Sequence, residues 1–282
     1  ILKNRNFTHL LLPRKLNSFL KLYSYIFKSI VIFEFCMFTL YIKEIRSFLS
    51  SLIGYIAIGV FITGIGTFMW LVPSESAGSN VLENGFANID PLFILAPWVY
   101  LFLIPAITMR SFSEEKKTGT IELLLTRPLT ELQIVLAKYL AGVTLVIISL
   151  LPTLVYYYSV HQLGYPKGNI DTGGMWGSYF GLLFLGAGFV SVGTFASAIS
   201  ENQVIAFIMA LLLCFITYVG FDFISASGLF GKYDAFVKDL GMNQHYISMS
   251  RGVVDTRDVI YFLSVITFFN LLSKIVLQSR KW

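Results

Sequence analysis

Two adjacent glutamates, Glu114 and Glu115, lie in a polar stretch, RSFSEEKKTGTIELLLTRPLTELQ, that runs from Arg110 to Gln133 between two long apolar segments. Paired carboxylates beside a membrane can do proton-transfer chemistry in a protease, one of them activating water. That motif wants an arginine where this chain has Gly119, and a histidine at membrane depth; neither is present. HExxH is missing, and so is GxxxxGK[ST], so the chain has no zinc-protease motif and no loop to cradle ATP. If it works in an ATP-driven machine, the ATPase is another polypeptide. The chemistry left to this stretch is that of contact.

Four basic residues (Arg110, Lys116, Lys117, Arg127) and four acidic ones (Glu114, Glu115, Glu122, Glu131) keep the stretch out of the hydrocarbon, so it reads as a water-facing loop. Ser111 with Glu114 fits a capping box. Gly119 breaks the first helical turns, and Thr118 or Thr120 can cap a second short helix over Ile121–Thr126. Pro128 stops that helix. Thr130 then caps a long one whose first turn carries Glu131 and Gln133. Leu123, Leu124 and Leu125 form an apolar knob rimmed by Glu122 and Arg127. A stubby helix of this kind either takes a push from a partner protein or rests on lipid.

The elements that position this stretch are membrane helices. Of 282 residues 56% are apolar and 13% charged, about half the charge of a soluble domain. The net charge of +5 does not indicate nucleic acid, because the basic residues adjoin hydrophobic runs rather than an aromatic-interleaved polar face. Cys36 and Cys214 both sit in apolar runs, which disfavours a disulfide, and the three histidines are far apart.

Residues 1–36 are rich in Lys, Asn, Ile, Phe, Tyr and Ser, and Lys21 and Lys28 interrupt their apolar character. They fit a signal peptide poorly and have the composition of translated AT-rich upstream DNA. The expectation is a non-native extension with the start at Met37, the other reading being an extra membrane-surface helix. From Met37 to Ser50, Lys43, Glu44 and Arg46 recur at helical spacing, as in an amphipathic helix lying in the interface. Six spans are then expected, over about 51–72, 92–109, 134–160, 176–199, 204–224 and 258–277. Pro97 and Pro105 lie within the second. Glycines line the first and fourth, which suits tight packing in the bundle or against a partner. The segment 225–257 is too charged to span and reads as one or two short helices at the outer surface, with Tyr233, Phe236, Val237 and Leu240 on one face.

With six spans both termini share a side. Ten lysines and arginines after Met37 fall on the side of the 110–133 stretch and five on the other, which makes that side and both termini cytoplasmic. No ionisable residue lies near the middle of a span, which disfavours a proton- or sodium-coupled carrier.

The run EEKKTGTIELLLTRPLTELQIVLAKYLAG resembles the cytoplasmic coupling segment of type-2 ABC transporter permeases. With DPLFILAPWVYLFLIPAITMRSF, NIDTGG and SRGVVDTRDVIYF, the likeness covers roughly 37–282 and looks like the gliding-motility-associated ABC transporter permeases of the Bacteroidetes. It implies an all-α polytopic fold of six transmembrane helices in one domain, 37–282, in a bacterial inner membrane. It further implies a permease subunit of an ATP-driven exporter, coupled to a separate ABC ATPase through Glu114, Glu115, Gly119, Thr120, Ile121, Glu122, Leu123, Leu124, Leu125, Arg127 and Pro128. The chain itself would bind no cofactor, with ATP and Mg used by the ATPase. Partners would be that ATPase and a second permease-like subunit or a second copy. A membrane anchor that transports nothing is the other reading.

Overall fold

The computed structural model describes residues 36–73, 80–83, 87–126, 129–228 and 231–279. Among these every element is helical. The expected extension, residues 1–36, lies outside the described residues apart from Cys36, which opens the first helix, and so do Arg127 and Pro128.

Helix α1 (Cys36–Leu49) is the expected amphipathic helix, and the chain bends by 67° into α2 (Leu52–Trp70). Ser51 makes the corner, its hydroxyl accepting the N–H of Gly54 at 3.2 Å. The second span is α3 (Asp90–Thr108), which contains both Pro97 and Pro105 without ending at either. Among the described residues five helices are long and apolar enough to cross a membrane, and six if the bent pair α1–α2 counts as one span. The 19 residues of α2 alone rise about 28 Å, close to the thickness of a hydrocarbon core.

The expected loop at Arg110 is mostly helix. Helix α4 (Arg110–Lys117) runs on from α3 with only Met109 between them, so the two make a continuous 28-residue rod. At 1.5 Å per residue that rod is about 42 Å long, and its last turns must project beyond the hydrocarbon. The Ser111–Glu114 capping box does not form, because Met109 stays helical and Ser111 lies inside the rod rather than at a cap. A short helix, α5 (Thr120–Leu125), follows, and then α6 (Glu131–Leu150), where Thr130 is the cap as expected and forms a capping box with Gln133. A turn of 3₁₀ helix at Leu151–Thr153 carries Pro152 and joins α6 to α7 (Leu154–Leu163).

Helix α8 (Thr172–Ile199) is the axis of the bundle, and 78% of its apolar window is buried. Helices α3, α4, α6, α9 (Gln203–Phe215), α12 (Met242–Met249) and α13 (Thr256–Gln278) all lean on it. Without a hydrophobic drive between helices in lipid, such contacts depend on close backbone approach at small residues. A Cβ on Gly186 would meet Val146 at 2.8 Å, and one on Gly193 would meet the Thr108 hydroxyl at 2.1 Å. The glycines of the fourth span are therefore consumed inside the subunit and offer no face to a partner. On α2, by contrast, Gly59 and Gly64 face open space.

The fifth span runs from α9 through a π turn at Ile216–Gly220 into α10 (Phe221–Ala226). Beyond it come α11 (Asp234–Asp239) and α12. The face expected to dip at the surface stays exposed at Tyr233, Phe236 and Leu240. It is α12 that inserts, with Met242, Tyr246 and Met249 buried and the Tyr246 hydroxyl donating to the Phe93 carbonyl at 2.6 Å. A hydroxyl that finds a backbone acceptor can be buried without penalty, which lets the segment go deeper than its charges suggested.

Candidate functional site

The polar stretch is fastened to the bundle by a buried cluster of charges. Lys138 lies two turns into α6 with its side chain 1% exposed. Its ammonium is 3.0 Å from a carboxylate oxygen of Glu44 on α1 and 3.1 Å from one of Glu115 on α4. The third donor direction goes to the Ser111 carbonyl at 2.5 Å, and the charge stands 5.0 Å from the centroid of the Phe112 ring. Lys43 closes the figure from outside, 2.9 Å from Glu115 and 3.5 Å from Glu44. Two cations and two anions thus alternate, and the charges balance. A lysine this deep is tolerable only with all its donors used, which is the case here.

A second fastening joins α4 to the end of α8. The Ser197 hydroxyl accepts the backbone N–H of Phe112 at 2.9 Å and of Ser113 at 3.2 Å, and donates to the Met109 carbonyl at 3.1 Å. Ser197 therefore caps the junction between α3 and α4 from another helix, supplying what a local N-cap would have supplied. Lys116, itself buried, donates to the Ala198 carbonyl in the last turn of α8. A cation there satisfies an orphan carbonyl and meets the negative end of the helix dipole.

Past α4 the chain turns at Gly119, whose φ of +70° only glycine adopts without strain. Gly119 is the residue before α5 and offers no side-chain cap; the Thr118 and Thr120 hydroxyls instead bond each other at 2.9 Å and reach back to α4 carbonyls. The expected threonine cap of the short helix is thus spent on closing α4.

Helix α5 does not present all three leucines. Ile121 is buried among Leu40, Phe112, Ile134, Val135, Ala198 and Leu277, with Leu124 and Leu125 half-buried against the same cluster. Leu123 remains 68% exposed beside exposed Glu122, Thr120 and Lys117. Helical geometry requires this split, since residues 121, 124 and 125 share one face and 122 and 123 the other. Glu114 is exposed as well, while Glu115 is drawn inward by its two lysines. Of the candidate coupling residues, Glu114, Gly119, Thr120, Glu122 and Leu123 form the outer surface. Glu115, Ile121, Leu124 and Leu125 hold the segment down.

In the sequence Glu44 reads only as a charge of the amphipathic helix and Lys138 only as a lysine at the mouth of the third span; nothing pairs them, and Ser197 does not stand out. A lysine inside an apolar helix is a signal that a carboxylate must be near. Its partner on α1 lies 94 positions away, and the spacing gives no hint of it.

At the opposite end of the bundle a smaller polar set joins α12 to α13. His245 is 2.7 Å from Asp258 and 2.9 Å from the Asp239 carbonyl, and its ring stacks on Tyr261 at 3.9 Å. Among the described residues no three or more of His, Cys, Asp and Glu converge as metal ligands would.

No curated protein matches the chain. The model of the family described as ABC-2 family transporter protein matches residues 38–232, more than half of the chain, and that span includes α1 from its third residue, all of α2 to α5, Lys138 and Ser197. The chain belongs to this family of type-2 ABC transporter permeases, and it is a multi-pass, membrane-spanning component of such a transporter rather than its ATPase.

Proposed function

We propose that this chain is the permease subunit of an ATP-driven exporter in a bacterial gliding-motility complex, with the outer surface of α4 and α5 docking a separate ABC ATPase. The observation that carries the coupling part is the double fastening of α4. The Glu115–Lys138–Glu44 cluster ties it to α6 and α1, and Ser197 and Lys116 tie it to α8. A displacement applied at Leu123 would reach three other helices, because each link is short and buried. Exposed Leu123 ringed by Glu122, Lys117 and Thr120 suits a partner groove with an apolar centre and a polar rim. The motility assignment is supported by the sequence likeness alone.

In this reading the Lys138 end faces the cytoplasm of the inner-membrane bacterium, both termini lie there, and ATP and Mg are handled by the partner. A single copy is half of the translocation path. The exposed faces of the fifth and sixth spans, buried over only 22% and 17% of their apolar windows, and open Gly59 and Gly64 leave room for a second permease-like subunit or a second copy.

The test is co-purification of the ATPase, and its stimulated turnover, with wild type, Glu122→Lys and Gly119→Pro. Glu122 is exposed and Glu122→Lys should lower association by reversing a rim charge, with little effect on the fold. Gly119→Pro removes an N–H that bonds the Lys116 carbonyl at 3.2 Å and demands a φ of the wrong sign. It should misplace α5 at a local cost of about 3 kcal/mol and abolish stimulation. Unchanged association and turnover in both would reduce the segment to a helix resting on lipid. Association without stimulation in the wild type would make the chain an anchor.

A further inference from the structure

Beneath α1, where α3, α6 and α8 reach the Lys138 end, lies a pocket of about 70 Å³ lined among others by Ser47, Arg110, Ser111, Lys138 and Thr194. We propose that it binds a phosphate group, and that Arg110 is the residue that holds it.

Arg110 is the reason. Among the described residues its guanidinium has no ion pair and no hydrogen-bond partner, although the residue is half-buried and its Nε is wholly covered. The Ser111 hydroxyl beside it is also buried without a partner. Unsatisfied donors of this kind are rare in folded proteins, and two on consecutive residues at one pocket mark a missing acceptor. The other charges do not fill that role. Glu44 lines the pocket but is already held by Lys138 and Lys43. Glu114 also lines the pocket, but it is exposed, one turn further along α4, and forms no ion pair with Arg110. With the Lys138 cluster neutral, Arg110 and exposed Glu114 are the charges left at the pocket, and of the two only Arg110 carries a buried donor without a partner.

Size and depth narrow the ligand. The volume suffices for about five waters, or for one tetrahedral oxyanion, by the space a single water requires. A guanidinium flanked by hydroxyl donors matches a phosphate, which accepts several hydrogen bonds at once. Arg110 stands one residue beyond α3, after Met109, and lies under the interface helix, the level at which phospholipid headgroups sit. A phosphate there would bridge α1 to α4 beside the ion-pair cluster. Its source is either a phospholipid headgroup or free phosphate, which share the recognising chemistry.

The experiment uses the full chain, delipidated in detergent, titrated separately with phosphatidylglycerol, diacylglycerol and inorganic phosphate. Thermal melting and lipid retention by native mass spectrometry are the readouts. Phosphatidylglycerol should raise the melting temperature and stay bound, and diacylglycerol should do neither. Inorganic phosphate giving the whole shift would assign the site to the soluble anion. Arg110→Gln should weaken phosphatidylglycerol or phosphate binding by roughly tenfold or more, the loss expected when a charge-assisted contact is removed. Arg110→Lys should keep part of it. Without ligand Arg110→Gln should melt no lower than wild type, because the guanidinium has no partner in the protein to lose. Lys117→Gln, an exposed charge on the same helix, should leave binding unchanged. Equal binding of diacylglycerol, undiminished binding by Arg110→Gln, or an equal loss in Lys117→Gln would overturn the assignment.

Discussion

Lys138→Met should destabilise the subunit by about 3–5 kcal/mol, the cost of removing one partner from a buried ion pair. Methionine keeps the length of the stem and its place against Phe112, so the loss is electrostatic rather than a cavity. It leaves Glu44 and Glu115, both held by the same ammonium, facing each other with only the half-exposed Lys43 between them. The Ser111 carbonyl loses its donor at the same time. Because α1, α4 and α6 meet at this one atom, melting in detergent and retention of the ATPase should fall together. Adding Glu115→Gln to Lys138→Met should restore part of the loss, since it removes the repulsion while keeping the shape. That recovery, read as a double-mutant cycle, should amount to about 0.5–3 kcal/mol. A Lys138→Met protein that melts like wild type would show the cluster to be incidental.

Gly177→Val should be comparably severe for a different reason. A Cβ at 177 would stand 2.3 Å from the Gly252 carbonyl oxygen, and a Cβ at 252 would stand 2.3 Å from Gly174. Both obstacles are backbone, which has nowhere to go, and Gly252 also needs its φ of +84°. The overpacking should cost at least the upper part of the usual range of about 1–3 kcal/mol. It should also prise apart the neighbouring bond from the Ser178 hydroxyl to the Ser250 carbonyl, 2.8 Å. Gly59→Ala is the control, since nothing lies within 4 Å of its added Cβ. Relief of glycine's helix penalty, roughly 0.5–1 kcal/mol, should leave it neutral or slightly stabilised. Equal melting of both variants would contradict the assignment of the fourth span as the bundle's axis.

How far the sequence could be read depended on how local the cause was. The spans were legible because a long apolar run states its own length. The cap at Thr130 and the turn at Gly119 were legible because each is settled within a few residues. The capping box at Ser111 failed since nothing in RSFSEE reveals that α3 arrives still helical. Ser197 does the capping instead, from the far end of another span. The knob at Leu123–Leu125 was half right for a similar reason. Which leucines face outward depends on Leu40, Ile134 and Leu277, brought together only by the fold. Nor did composition reveal which glycine-rich helix is central, because the first and fourth spans carry similar small residues yet only one is surrounded.

Leu123 should touch the ATPase in the assembled transporter, and a photo-reactive amino acid placed at that position reports the contact. The same group at Tyr165, 98% exposed at the opposite end of the bundle, is the reference. Irradiation of the assembled complex should join position 123 to the ATPase polypeptide and leave position 165 without that product. Position 123 yielding only lipid adducts, or the ATPase attaching equally at 165, would contradict the account.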